Sequence, residues 1–163
     1  MESSPDNAKP RIYVDSKESL QEAFHELIPI SKAMGVTVQE YTGSSLIIRA
    51  PLALNINHQH SAFGGSLFAV AALAGWGLMQ MKLSEHLLDC NTVVQNGEVS
   101  YERPVYDDLV CICTLPEDAD SLFETLRESG KASTTLVSVF ETTEGKVAMT
   151  LTGKFHLKQR ACP

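Results

Sequence analysis

Two asparagines, two histidines and a glycine pair fall within NINHQHSAFGGS, the stretch from Asn55 to Ser66. Asn55 and Asn57 alternate around Ile56, and His58 and His60 around Gln59. In an extended chain each pair points one way. An amide can hold a water, a carbonyl or a carboxylate, but it has no basicity with which to deprotonate water. Imidazole titrates near neutrality and could serve as a base or meet an anion. Gly64 and Gly65 stand where the loop would become a helix. The first helical turn leaves N–H groups without internal partners, its dipole favours negative charge, and glycine lets a ligand approach the backbone. The Gly65 N–H could therefore stabilise charge developing on a carbonyl oxygen, a donor whose loss costs about 10²–10³ in rate elsewhere.

Each of these residues also has a plainer use. The asparagines suit turns and caps, the histidines suit a solvated loop, and the glycine pair suits a tight helix start packed on a sheet. Phe63 reads as packing that helix start, with substrate contact as the alternative, and Ser66 offers a hydroxyl in the first turn. One absence narrows the chemistry. Between Glu40 and Glu85 there is no Asp or Glu. The helix that follows offers Ser66, Trp76 and Gln80 but no carboxylate, so imidazole is the sole local base. Glu98 and Glu102 are the acids that another strand or another subunit could bring in.

The elements that must position this loop are legible around it. From Ser61 to Met81 no charged residue occurs. That length approaches the ~20 apolar residues of a membrane span, but glycines, Ser66 and Gln80 dilute it. The stretch reads as a buried helix from about Gly65 to about Leu83, apolar on all sides because it sits inside a domain. Upstream, SKESLQEAFHELIPISKAMG reads as a helix capped at Ser16, interrupted at Pro29 and stopped at Gly35, with Leu20, Phe24, Leu27 and Ile28 as its apolar stripe. VTVQEYTGSSLIIRAPL reads as a hairpin turning at TGSS. After Cys90 come four strand-like runs that read as a meander, with EDADSLFETLRESG as a short helix or an acidic loop. Cys111 and Cys113 alternate on one strand face, and no Cys/His ligand spacing or disulfide framework emerges.

The 163 residues suit one domain, 13–163, behind a polar tail at 1–12. With 44% hydrophobic residues and a net charge of −7, the composition is globular and argues against wholesale nucleic-acid binding. No apolar signal core opens the chain, and cysteine usage fits a reducing cytoplasm. The expected class is α+β: a curved antiparallel sheet wrapped around one long buried helix. Such a sheet leaves an edge that a second copy could cover.

This order of elements, the NxNxxxxAFGGS loop and the SYERPV strand resemble the hotdog fold, and more narrowly the thioesterase-like family related to the C-terminal domain of YiiD. The resemblance covers nearly all the chain after the tail. It implies a homodimer, or a dimer of dimers, acting on acyl thioesters of coenzyme A or of an acyl-carrier protein, with phosphopantetheine entering only as part of the substrate. It implies no separate cofactor, and the residues themselves argue against a metal, since two histidines with no acid or Cys nearby are too few ligands. It also implies an active-site asparagine in the loop, with Asn57 first and Asn55 second, beside Gly65. His58, His60, Phe63, Gly64 and Ser66 are then candidates for contact with substrate. Hotdog thioesterases and dehydratases usually carry an acid in this loop or helix, which is absent here. That absence favours decarboxylation of a malonyl thioester, an activity the family implies, over hydrolysis. Hydrolysis with a histidine base and a non-catalytic thioester-binding module are the alternatives. Arg103 could meet a substrate phosphate or pair with Glu102 or Asp107. Lys158 and Arg160 could meet an acidic carrier.

Overall fold

The computed structural model describes residues 11–160. The first helix forms because Ser16 caps it, accepting from the Ser19 N–H while the Ser19 hydroxyl accepts from the Ser16 N–H. This helix, α1 (Lys17–Leu27), ends where Pro29 opens a separate short helix, α2 (Pro29–Ala33). Leu20 and Phe24 are fully buried, whereas Leu27 is substantially exposed and falls outside the expected stripe. The hairpin follows as β1 (Thr37–Tyr41) and β2 (Ser45–Ala50).

The long helix α3 runs from Gly64 to Glu85. Next come β3 (Cys90–Tyr101), β4 (Leu109–Thr114), a helix α4 (Ala119–Ser129), β5 (Lys131–Glu141) and β6 (Val147–Gln159). The acidic run is thus the helix α4; its Leu122, Phe123 and Leu126 are buried. All pairings are antiparallel, in the order β1-β2-β4-β5-β6-β3. Here the expected four-strand meander is corrected, because only β4, β5 and β6 run side by side. β3 crosses to the far edge and pairs with β6 from Cys90↔Gln159 to Tyr101↔Met149. The connection from β3 to β4 is a seven-residue crossing, 102–108, rather than a hairpin turn. At its start the N–H groups of Glu102 and Arg103 both donate to the Ala148 carbonyl.

One face of this sheet packs on α3. Leu46, Ile48, Cys111, Cys113, Phe140 and Phe155 are buried against it, and Ser138 donates to the Ala71 carbonyl at 3.0 Å. Two glycines make the close approach possible. A Cβ on Gly75 would lie 2.3 Å from the Phe155 ring, and one on Gly77 would lie 2.7 Å from Phe24. They therefore serve close packing and leave no acyl-sized space. Trp76 packs against Phe24 with centroids 5.8 Å apart. By length and composition α3 could span a membrane, but 67% of its apolar window is buried inside the fold. Residues 11 and 12, assigned to the tail by sequence, are already engaged: Arg11 pairs with Asp89 and Ile12 packs on the core. Residues 1–10 and Cys162 lie outside the described residues.

Candidate functional site

The loop between β2 and α3 folds on itself instead of running extended. A short 3-10 turn, Leu52–Leu54, leads into Asn55, and Ile56 and Ala62 form a single antiparallel bridge. Within it the Asn57 N–H donates to the Ser61 carbonyl at 2.8 Å, and the His60 N–H donates to the Asn57 carbonyl at 3.1 Å. The loop is then pinned from two sides. The Ala62 N–H donates to the Val105 carbonyl in the 102–108 crossing, and the Phe63 N–H donates to the Asn55 carbonyl, each at 2.8 Å. Because of this fold the alternation of an extended chain does not apply: Asn55 turns inward, whereas Asn57 sits within the turn.

Asn55 is 3% exposed. Its amide donates to the carbonyls of Met34 and Pro51, so it fastens the loop to α2 and β2, while its Oδ1 is buried without a partner. Asn57 is only half-buried and sits inside the turn. Its Oδ1 accepts from the Gln59 N–H at 2.8 Å and from Ser61, the local bonding that makes asparagine a turn residue. Its amide donates to Ser61 Oγ at 3.0 Å and more weakly to the Ala62 carbonyl at 3.4 Å. His58 and His60 are exposed, and no described residue hydrogen-bonds to either ring. His60 occupies the left-handed region with φ 62°.

Helix α3 starts without a side-chain cap. The N–H groups of Gly64, Gly65 and Ser66 find no acceptor among the described residues, and neither does the Ser66 hydroxyl. Two aromatic rings explain the glycine pair locally. A Cβ on Gly65 would lie 2.3 Å from the Phe63 ring, and one on Gly64 would touch the Tyr101 ring at 3.4 Å. Phe63 itself is 56% exposed, so it covers the helix start and also faces outward. Tyr101, the last residue of β3, donates its hydroxyl proton to the Gly64 carbonyl at 2.8 Å. Sequence reasoning passed over Tyr101, whose only local signal is its place at the end of a period-2 run before Pro104.

The charge around the loop is sparse. Asp108 accepts from the Leu52 N–H and from Arg49, and these two interactions hold its carboxyl below the usual range. Glu102 pairs with Arg103, whose guanidinium also donates to the Val147 carbonyl. A groove of about 1030 Å³ lies beside the loop, between the 102–108 crossing and the β5–β6 turn, but Asn57 and Gly65 do not line it. Among the described residues no group of three or more His, Cys, Asp or Glu could hold a metal ion. The arrangement offers unpaired first-turn N–H groups, one reachable amide and two imidazoles, with Ile56, Phe63 and Tyr101 exposed around them.

Comparison with known proteins gives a consistent set of relatives. A family model described as "Putative thioesterase (yiiD_Cterm)" matches residues 17–159. A protein of unknown function from Chlorobaculum tepidum is 32% identical with a TM-score of 0.84, over 88% of this chain and 94% of that one. A protein from Shewanella oneidensis described as a putative thioesterase is 26% identical with a TM-score of 0.81, over 88% and 97%. A Pseudomonas aeruginosa protein described as a probable thioesterase, 22% identical with a TM-score of 0.77 over 93% and 100%, shares the fold.

Proposed function

This chain belongs to the thioesterase-like YiiD C-terminal family of hotdog proteins, and on that premise we propose that it decarboxylates the malonyl thioester of an acyl carrier. The observation that carries this reading is the pairing of unpaired first-turn N–H groups on α3 with a loop and helix that hold no carboxylate before Glu85.

Decarboxylation needs little general base. The bond between the malonyl carboxylate and the methylene carbon breaks, its electron pair enters the thioester carbonyl, and neutral CO₂ leaves. The enolate oxygen so formed takes hydrogen bonds from the Gly65 N–H and its neighbours, aided by the helix dipole. A proton from water or from a His58 or His60 imidazolium then completes the acetyl thioester. Asn57 holds the carboxylate out of the thioester plane. Its contact with the Ala62 carbonyl lies beyond the usual 2.7–3.2 Å range, so that hydrogen is the one substrate can claim. Asn55 keeps the loop in place from beneath.

The active unit is a homodimer. β3 is an edge strand with Val93 and Val94 exposed, and beside it Phe68, Ala69 and Ala72 form an incompletely covered stripe on α3. A second copy would cover both, giving the open loop its missing wall and the dry surroundings that favour loss of charge as CO₂.

Hydrolysis is the second reading, favoured by the exposed His58 and His60 rings, either of which could activate water. Product masses and free thiol from malonyl-, acetyl- and longer acyl-carriers decide between them. Acetyl-carrier without free thiol, lost in Asn57→Ala, supports decarboxylation; free thiol from unsubstituted acyl chains overturns it.

A further inference from the structure

The outer face of the sheet carries a charge pattern that the site does not use. Lys154, His156 and Lys158 occupy alternate positions of β6, and Lys131 of β5 lies in direct register with Lys158. Alternate residues share a face, so the stripe runs about 14 Å along the strand. Like charges set directly opposite destabilise a sheet. The register cannot relax, because a one-residue slip would carry the buried Phe155 and Leu157 to the outside.

Among the described residues no carboxylate pairs with it, although Glu98 lines the same shallow depression as Lys154. Lys131, Lys154 and Lys158 are exposed, and none is in an ion pair among the described residues. Their cross-strand neighbours Asn91, Asn96, Ser133 and Thr135 are neutral, and His156 Nδ1 lies 3.0 Å from Ser133 Oγ. Glu98, opposite Thr152, is the carboxylate nearest in register. On a chain of net charge −7 the stripe is a local reversal of sign.

We propose that the Lys131–Lys154–Lys158 face docks an acidic protein surface, that of the carrier whose thioester the enzyme takes. This rests on the thioester reading above. The cations are too spread and too open to enclose a small anion, and too few to hold nucleic acid against the overall negative charge. They match the complementary-charge docking that steers protein partners and fades with salt.

The test uses the full chain, a holo-acyl-carrier protein with an acidic surface, and the variants K131E/K154E/K158E and K131R/K154R/K158R. Carrier binding is measured by fluorescence anisotropy at low and high salt, and turnover is measured with carrier-bound and coenzyme-A-bound substrate. We expect wild-type binding to weaken with salt, the glutamate variant to lose at least about tenfold in affinity, and the arginine variant to retain it. Coenzyme A substrate should turn over equally in all three, which also shows the glutamate variant folded. Equal carrier binding by wild type and glutamate variant overturns the docking face while leaving the thioester reading intact. So does binding of a DNA oligonucleotide in place of the carrier. Lysine-dependent carrier binding without turnover of any thioester would support the face and count against the reaction.

Discussion

The Tyr101 hydroxyl donates to the Gly64 carbonyl at 2.8 Å, which ties the end of the edge strand to the first residue of the central helix. The same ring occupies the space beside the Gly64 Cα. The helix start is therefore held by β3, and whatever moves that edge moves the N–H groups offered to substrate. Tyr101→Phe should keep the fold, with a loss of about 0.5–1.5 kcal/mol for one hydrogen bond. Turnover should fall more than that loss of stability accounts for. Thermal melts beside steady-state kinetics measure both, and unchanged turnover would detach Tyr101 from the site.

Gly64→Ala and Gly65→Ala should part company. At Gly64 the new methyl meets Tyr101 at ordinary contact distance, whereas at Gly65 it collides with the Phe63 ring at 2.3 Å. Phe63 is exposed and can swing, so neither variant should lose much stability. Gly65→Ala alone should lower kcat, by roughly the 10²–10³ expected when an oxyanion donor is displaced. Equal kinetics for the two variants would argue that the pair serves packing only.

Asn57→Asp tests the argument from the absent acid. It places a carboxylate in an isosteric position with no amide donor and repels a malonyl carboxylate. Malonyl decarboxylation should fall by about 10² or more, while hydrolysis of acetyl or longer thioesters should stay level or rise. Asn55→Ala should behave differently, costing about 1–3 kcal/mol because it removes the buried donor to the Met34 carbonyl and leaves the Pro51 carbonyl only its longer bond from the Leu54 N–H at 3.3 Å. Urea titration and product analysis on the same preparations separate these two kinds of loss.

Gly75→Ala should be the most damaging of the glycine substitutions. Its methyl would stand 2.3 Å from a Phe155 ring that is itself buried and has nowhere to turn. Overpacking of this sort costs about 1–3 kcal/mol, readable as a lowered urea midpoint at unchanged slope.

Stability should fall on mild acidification through His86. Its ring stacks on Phe123 with centroids 4.0 Å apart, and its Nδ1 lies 3.0 Å from the Arg127 guanidinium, which can only donate. Burial first, then the cations Arg127 and Lys82, hold its pKa below the ordinary 6.5. The unfolded chain therefore takes up the proton first as pH drops. This contribution is full above 6.5 and is lost between 6.5 and the lower folded value. Urea midpoints from about pH 8 to about pH 5 should show that slope in the wild type and less of it in His86→Gln.

What the sequence disclosed and withheld follows from the range of the forces involved. Ser16, Pro29 and the uncharged run before Lys82 act within a few residues, so helix boundaries and the buried helix could be read directly. The loop's chemistry was legible in kind, but its shape was not. Asn57 bonds to Ser61 through a turn that alternation alone would take for extended chain, and Asn55 turns inward to carbonyls from other elements. Pro104 marks the SYERPV run as an edge strand, as it is, but which strand β3 pairs with was hidden for a different reason. Its partner β6 lies more than forty residues away from it in sequence, and period-2 patterning reports a face but not a neighbour. Tyr101 and Gly64 meet only because of that long-range pairing.

The long uncharged run of α3, up to Met81, has a consequence for how the chain is made. Gly64–Glu85 leaves the ribosome before β3 to β6, which extend as far as Gln159. At about 5–20 residues per second, its apolar surface waits several seconds for those strands to be synthesised. During that interval it has the length and composition of a segment that membrane-insertion machinery or a chaperone would take up. Adding one charge to a buried position of α3 would therefore change two outcomes at once: the packed core, and the fate of the nascent chain before a core exists.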